Sequence, residues 1–253
     1  MNKKSIGIFP APRAYNNGMK KRVFAACFAV LLGFVAAVGM CIQALNAPRA
    51  VFSQAEEKLR VVVDAGHGGI DGGVTGVQTK VKESEINLAI ALALKTEFED
   101  MGFAVTLTRK TDAGLYDTTA KGFKKRDMQK RKEIILEAKP ALLLSIHQNY
   151  YPSKTSRGAQ VFYRRESEAG GLFAKSLQEK LNALYKEEGV KGRNAATGEY
   201  FMLECYDTPS VIVECGFLSN AKDEKLLTSN VWQKRLCQAI VAGSVDYLSH
   251  LTA

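Results

Sequence analysis

The chain has 253 residues, 46% hydrophobic and 24% charged, enough for one membrane segment and one domain of about 200 residues with a substantial core. Its formal charge of +9 is unevenly spread: residues 1–49 carry +7 with no acid, and the remainder carries +2. That balance gives the domain no electrostatic footprint for nucleic acid.

From Val23 to Ile42 the chain has twenty residues without a charge, which as a helix rise about 30 Å, the thickness of a hydrocarbon core. Lys20, Lys21 and Arg22 stand directly before this run. By the positive-inside rule the N-terminus stays in the cytoplasm and the domain lies outside. The run exceeds the roughly 7–15 apolar residues of a signal peptide, and the nearest small-residue cleavage site, ending at Ala47, has Leu45 in the wrong place. We therefore read 1–22 as a basic cytoplasmic N-terminus and 23–45 as a transmembrane signal anchor. A linker over 46–58 and a domain over 59–250 follow. Cys205, Cys215 and Cys237 make an odd count in that domain with no Cys-x-x-Cys, which argues against a disulfide framework and for buried thiols.

The domain opens with Leu59-Arg60-Val61-Val62-Val63-Asp64-Ala65-Gly66-His67, a β-branched run ending in glycines. Ser84 offers an N-cap, and Ile86, Ile90, Leu94, Phe98 and Met101 follow at helical spacing, predicting a helix over 85–101. Residues 103–109 predict a second strand, parallel to the first through a right-handed crossover. Residues 110–125 read as a loop, and a helix is expected over 126–138, ending before Pro140. Residues 141–147 predict a strand ending in His147, and 158–164 alternate like an exposed or edge strand. A helix over 168–187, a short strand at 201–203, a central strand over 210–214 and a closing helix over 231–248 complete the pattern. It is an α/β class: a single domain with a mostly parallel twisted central sheet flanked by helices on both faces, preceded by one N-terminal transmembrane helix.

Three of these strands end in residues that hold or drive metal ions: His67, His147 and Glu214. Ligand crevices of open α/β sheets lie outside the carboxyl ends of the strands, so the three should meet at one edge. The glycines near His67 do not make a dinucleotide fingerprint, because Asp71 stands where the third glycine is needed, and no Gly-Lys-Ser/Thr follows for a phosphate loop. A catalytic zinc takes three protein ligands and leaves a fourth position open. His67 and His147 supply two. Glu83, at the entry to the first helix, is the best third, with Glu85 and Asp71 as local competitors. A carboxylate at the rim of an apolar sheet, as Glu214 is, should have a raised pKa suited to general-base work beside activated water. His250 reads as structural.

Five linked motifs carry a resemblance: Val62–Gly69, Lys82–Leu88, Leu107-Thr108-Arg109-x-x-Asp112, Ser145–Asn149 and Val213–Asn220. In order and spacing they resemble the zinc-dependent N-acetylmuramoyl-L-alanine amidases, over about 59–248, and most of all the sporulation-specific, CwlD-type branch. The resemblance implies one Zn²⁺ on His67, Glu83 and His147, with Glu214 as the catalytic glutamate and Asn149 as a polar residue beside the site. It implies cleavage between the lactyl group of muramic acid and L-alanine in peptidoglycan, for muramic lactam of the spore cortex. A zinc peptidase acting on stem peptides and a non-catalytic, membrane-anchored wall-binding module are the rival readings. The chain departs from many relatives in a link of about sixteen residues, Ala113–Met128, that includes Lys121, Lys124, Lys125 and Arg126. It reads as a solvated basic loop or, more sharply, as a contact for anionic peptide stems or a protein partner through 113–128.

Overall fold

A computed structural model describes residues 17–46 and 58–251, with the side chains of 17–46 described in part. The chain divides into two compact units, Met1–Glu56 and Glu57–Ala253. The first contains helix α1, Asn17–Asn46, which exposes Phe24, Phe28, Leu31 and Phe34 among others. Among the described residues no helix is long and apolar enough to cross a membrane, so the transmembrane span expected over 23–45 finds no support there. Most of the linker expected over 46–58, and the first sixteen residues, lie outside the described residues.

The second unit is built on a six-stranded sheet. Its elements in chain order are β1 (Arg60–Ala65), α2 (Glu83–Asp100), β2 (Ala104–Leu107), α3 (Phe123–Ala138), β3 (Leu142–Asn149), β4 (Gln160–Tyr163), α4 (Glu168–Lys186), β5 (Ala196–Thr197), a 3-10 turn (Phe201–Glu204), β6 (Ser210–Phe217), α5 (Ala221–Leu227) and α6 (Asn230–Leu251). The strand order is β2-β1-β3-β6-β4-β5. All neighbours are parallel except β4 with β6. The chain leaves β1 for β2 on one side and returns to place β3 on the other. The order therefore reverses between β1 and β3, and a crevice opens at their carboxyl ends.

The two-residue period of the strands sorts their side chains onto two faces. Val61, Val63, Leu142, Leu144, Ile146, Val211 and Val213 join the large core with α2, α4 and α6. Val62 and Leu143 face the other way, into a small cluster with Ile135 of α3, Met202 and Cys205. The same parity sends Asp64 and Ser145 to the small-cluster face. There Asp64 accepts hydrogen bonds from Thr108 Oγ1 (2.6 Å), Ser145 Oγ (2.6 Å) and Arg131 Nη1 (2.5 Å). Both partners of the Asp64–Arg131 ion pair are fully buried. Helices on both faces and a mostly parallel sheet are as the sequence predicts.

Several local expectations fail for identifiable reasons. Helix α2 begins at Glu83, not after Ser84: the Lys82 carbonyl already accepts from Glu85 N (3.1 Å) and Ile86 N (3.5 Å), which makes Lys82 the N-cap, without a side-chain cap, and the Ser84 hydroxyl faces Asp112 (3.4 Å). Residues 201–203 form a 3-10 turn, not a strand; Met202 and Leu203 bury themselves without needing a ladder. Strand β4 is interior, since the two-residue β5 covers its free edge. Helix α3 starts at Phe123, so part of the expected loop is helical.

The Asp64 carboxyl sits below its ordinary value. Burial alone would raise it, but Arg131 and then the Ser145 and Thr108 hydroxyls outweigh burial. Arg131→Met strands this charge in the core and should cost about 3–5 kcal/mol in urea unfolding at neutral pH. A carboxyl with a depressed folded pKa stabilises above its unfolded value, 3.8 for Asp64, and loses that contribution as pH falls through the folded value. Asp64→Asn should lack this acid-dependent component when unfolding is followed from pH 5 downward.

Candidate metal centre

Beyond β1 the chain turns through Gly66 into His67, which adopts φ = 60°, a left-handed conformation rare for a residue with a side chain. Surrounding contacts hold it there. Gly66 N donates to Ile146 O (3.0 Å). Arg131 Nη2 donates to His67 O (2.6 Å). Arg109, also buried, donates to the carbonyls of Ala65 (2.9 Å), Gly66 (3.0 Å) and Ser84 (2.8 Å), tying the end of β1 to the start of α2. Gly66 must lack a side chain, because a Cβ there would stand 2.3 Å from the His147 ring. Gly73 is under the same constraint, its φ is +68°, and a Cβ would meet Glu83 Oε2 at 2.4 Å and His67 Cδ2 at 2.9 Å.

His147, near the end of β3, meets His67 edge to face, with ring centroids 5.0 Å apart. Glu83 lies between them, almost completely buried. Its Oε1 is 3.0 Å from His147 Nδ1 and its Oε2 is 3.3 Å from His67 Nε2. Backbone and amide donors fix the carboxylate: Val74 N to Oε2 (3.0 Å), Gln148 N to Oε1 (3.0 Å) and Asn87 Nδ2 to Oε1 (3.3 Å). A register irregularity in the β3–β6 ladder between His147 and Asn149 accompanies the Gln148 bond, as bulges do where a ladder is diverted to a site. Burial would raise the Glu83 carboxyl, but His147 and His67 hold it well below the carboxylate range. His67 is shifted upward in turn, burial being outweighed by Glu83 and Asp71.

A buried carboxylate between two imidazoles is a place for positive charge. The three donor atoms all lie within 4.8 Å of one another. Two nitrogens and an oxygen are the donor set of a catalytic zinc site. The 3.0–3.3 Å histidine–glutamate spacings approach the about 3.4 Å between donors around a tetrahedral ion with bonds near 2.1 Å. Of the two competitors for third donor, Glu85 is exposed, and Asp71 Oδ1 lies 3.2 Å from the other nitrogen of His67, Nδ1.

Glu214 is the register partner of His147 on β6. One carboxylate oxygen, Oε2, is enclosed and has no hydrogen-bond partner. Burial pushes this carboxyl up to about 7; Glu83 adds to the shift, while His147 and His67 oppose it. His67, His147 and Glu214 line one cleft of about 260 Å³, walled by Tyr116 and Phe123 on one side and Tyr200 and Phe201 on another. The sequence-predicted residues His67, Glu83, His147 and Glu214 are thus brought together. Asn149 is not among the cleft residues; its carbonyl accepts from Leu218 N (2.9 Å). The 113–128 stretch is not a detached solvated loop, since Tyr116, Phe123, Lys124, Asp127 and Met128 form part of the cleft wall. Arg109, Arg131, Asn87 and Gln148 carry no role in the sequence reading. Arg109, Asn87 and Gln148 stand inside the motifs that carry the resemblance, and Arg131 lies four residues before Ile135 on the buried stripe of α3.

Two imidazoles and a carboxylate at the carboxyl ends of a parallel sheet, with a second, protonatable carboxylate beside them, are a donor set that could hold a metal ion in an α/β fold, the arrangement a metal-dependent hydrolase requires. A family model described as N-acetylmuramoyl-L-alanine amidase matches residues 61–245. The chain belongs to this family of amide hydrolases. It is 29% identical over 197 residues to the germination-specific N-acetylmuramoyl-L-alanine amidase of Bacillus subtilis, covering 75% of this chain and 79% of the relative. The CwlD amidase of Clostridioides difficile, solved in complex with the GerS lipoprotein, superposes with a TM-score of 0.72 at 35% identity, over 76% of this chain and all of that one. The catalytic domain of CwlV from Bacillus (Paenibacillus) polymyxa superposes at 0.65 with 30% identity, over 76% of this chain and 98% of that one.

Gly66→Ala should displace the His147 ring and lower the zinc bound by the purified chain at equilibrium dialysis, with the far-UV spectrum of the fold retained. Full zinc content in that variant would show that the close approach of Gly66 and His147 does not matter to the centre.

Proposed function

We propose that the chain is a zinc-dependent amidase that cuts peptidoglycan between muramic acid and L-alanine, in the service of the spore cortex. The observation that carries the hydrolytic reading is the pairing of the His67–Glu83–His147 donor set with an enclosed, unpartnered Glu214 oxygen in one cleft. The cortex role rests on likeness to a germination-specific amidase and to a CwlD amidase.

Held by His67, Glu83 and His147, zinc supplies Lewis acidity that activates water and polarises the amide carbonyl. Glu214 takes the proton of the attacking water onto its free oxygen and carries it to the departing nitrogen of L-alanine, which leaves as a free amine. Burial favours the protonated form of this carboxyl, which suits a group that takes a proton and returns it. Ile212, Met202 and Phe201 line the cleft beside it and keep bulk water from competing for the proton. Asn87 and Gln148 hold Glu83 from behind, so that its lone pairs stay aimed between the two imidazoles.

Three cations before twenty uncharged residues support an anchor in the membrane with the catalytic domain on the extracytoplasmic side; likeness to a germination-specific amidase supports the forespore intermembrane space as that side. In a sporulating cell, alkaline carbonate should leave the chain in the membrane pellet; its release into the supernatant would contradict the anchor. The relative solved with a lipoprotein supports a lipoprotein partner for this chain as well.

Glu214→Gln should keep its zinc and lose about 10²–10⁴-fold in turnover, measured by release of stem peptides with a free N-terminal L-alanine from purified peptidoglycan. Near-normal turnover would remove Glu214 from the proton transfers. Products cut within the stem would point to a peptidase instead.

A further inference from the structure

We infer that Asp71, braced by Lys124, is a positioning residue for His67, so that the 113–128 segment sets the affinity of the metal centre. This rests on the metal-centre reading above. His67 presents Nε2 to Glu83 (3.3 Å) and so to the ion. A ligating imidazole holds its orientation and tautomer through the other nitrogen, usually by donating to a carboxylate or carbonyl. That nitrogen, Nδ1, is enclosed and makes no hydrogen bond of good geometry, yet Asp71 Oδ1 lies 3.2 Å from it. A small rotation of the ring completes the bond, and seating Nε2 on a metal requires the ring to be fixed.

Asp71 is itself held. Its Oδ1 accepts weakly from Gly73 N (3.4 Å), and its Oδ2 lies 3.2 Å from Lys124 Nζ. Lys124 sits in the first turn of α3, and the segment that carries it is fastened to the His67 turn at several points. Ile70 N donates to the Tyr116 hydroxyl (2.7 Å), and Gly69 N donates to Asp112 O (2.5 Å). Gly69 is required for this fit, because a Cβ there would stand 2.2 Å from the Tyr116 hydroxyl. Asp127 accepts from Leu115 N (2.6 Å) and from Arg131 Nε (2.7 Å), and Arg131 reaches His67 O. The segment thus reaches the ligand by two relays: Asp127 holds Arg131, which bonds the His67 carbonyl, and Lys124 holds Asp71, which faces the ring. The extra residues after the Arg109-x-x-Asp112 strand end become a strut for one metal ligand.

Lys124 is two-thirds exposed, and exposed ion pairs are often worth little, so the pair must be tested for a specific effect on metal binding. The test is the zinc dissociation constant of the full chain, by competition with a chromophoric chelator, together with the visible spectrum of the cobalt-loaded chain. Asp71→Asn should weaken zinc about 10–100-fold and change the cobalt bands. Lys124→Met should weaken it about two- to fivefold. The double variant should bind as Asp71→Asn does, because the two residues act in series. Wild-type affinity and an unchanged cobalt spectrum in Asp71→Asn would overturn the inference. Where Asp71→Asn fails to fold, Lys124→Met decides alone, and an unchanged constant overturns it. A wild-type chain that binds no zinc instead fails the metal-centre reading on which this one stands.

Discussion

One buried carboxylate organises the catalytic unit. Glu83 sits between imidazoles from two different strand ends, and a negative charge so enclosed is tolerable only with positive charge beside it. The histidines, the donors from Val74, Gln148 and Asn87, and the glycines that let the rings approach all answer that requirement. The fold brings this about through its switch point. Only where strand order reverses do the ends of β1 and β3 stand open side by side, and α2 begins at that same edge with Glu83 as its first residue.

The strands divide the labour between their two faces. Residues of one parity bury the large core under α2, α4 and α6, with Gln148 as a buried polar member bonded to Asn87. Residues of the other parity carry Asp64, Ser145, His147 and Glu214. This face is covered by α3 and the 3-10 turn, which leave a cleft. The Asp64–Arg131 pair joins the two roles. It neutralises the buried charge of β1, and through the same guanidinium it fixes the backbone of His67 in a conformation that the residue would otherwise avoid.

Much of this was legible in the sequence because strand ends, helical stripes and glycine turns are local signals. The runs before His67, His147 and Glu214 gave the parallel strands, and sheet topology gave their convergence. Glu83 could be ranked above Glu85 and Asp71 only by its position, and the structure supplies the reason: Asp71 faces the opposite nitrogen of His67. What stayed hidden was long-range. Arg109 and Arg131 look like surface cations in a list of residues, since nothing nearby in sequence says that their guanidinium groups bond carbonyls more than forty residues away. Ser84 resembled a cap until its hydroxyl found Asp112. The 113–128 stretch read as a basic loop because charge dominated its composition; Tyr116 and Phe123, which turn it inward to meet in an edge-to-face contact at 5.3 Å, were the cue that the charges masked.

The most direct measurement is an anomalous difference map at the zinc absorption edge, from crystals of the purified chain. A single strong peak bonded to His67 Nε2, His147 and Glu83 at about 2.0–2.2 Å, with Glu214 facing its open side, is the expected result. A map without a peak between those three side chains, or with the ion held by other residues, would contradict the assignment of this edge of the sheet as the catalytic centre.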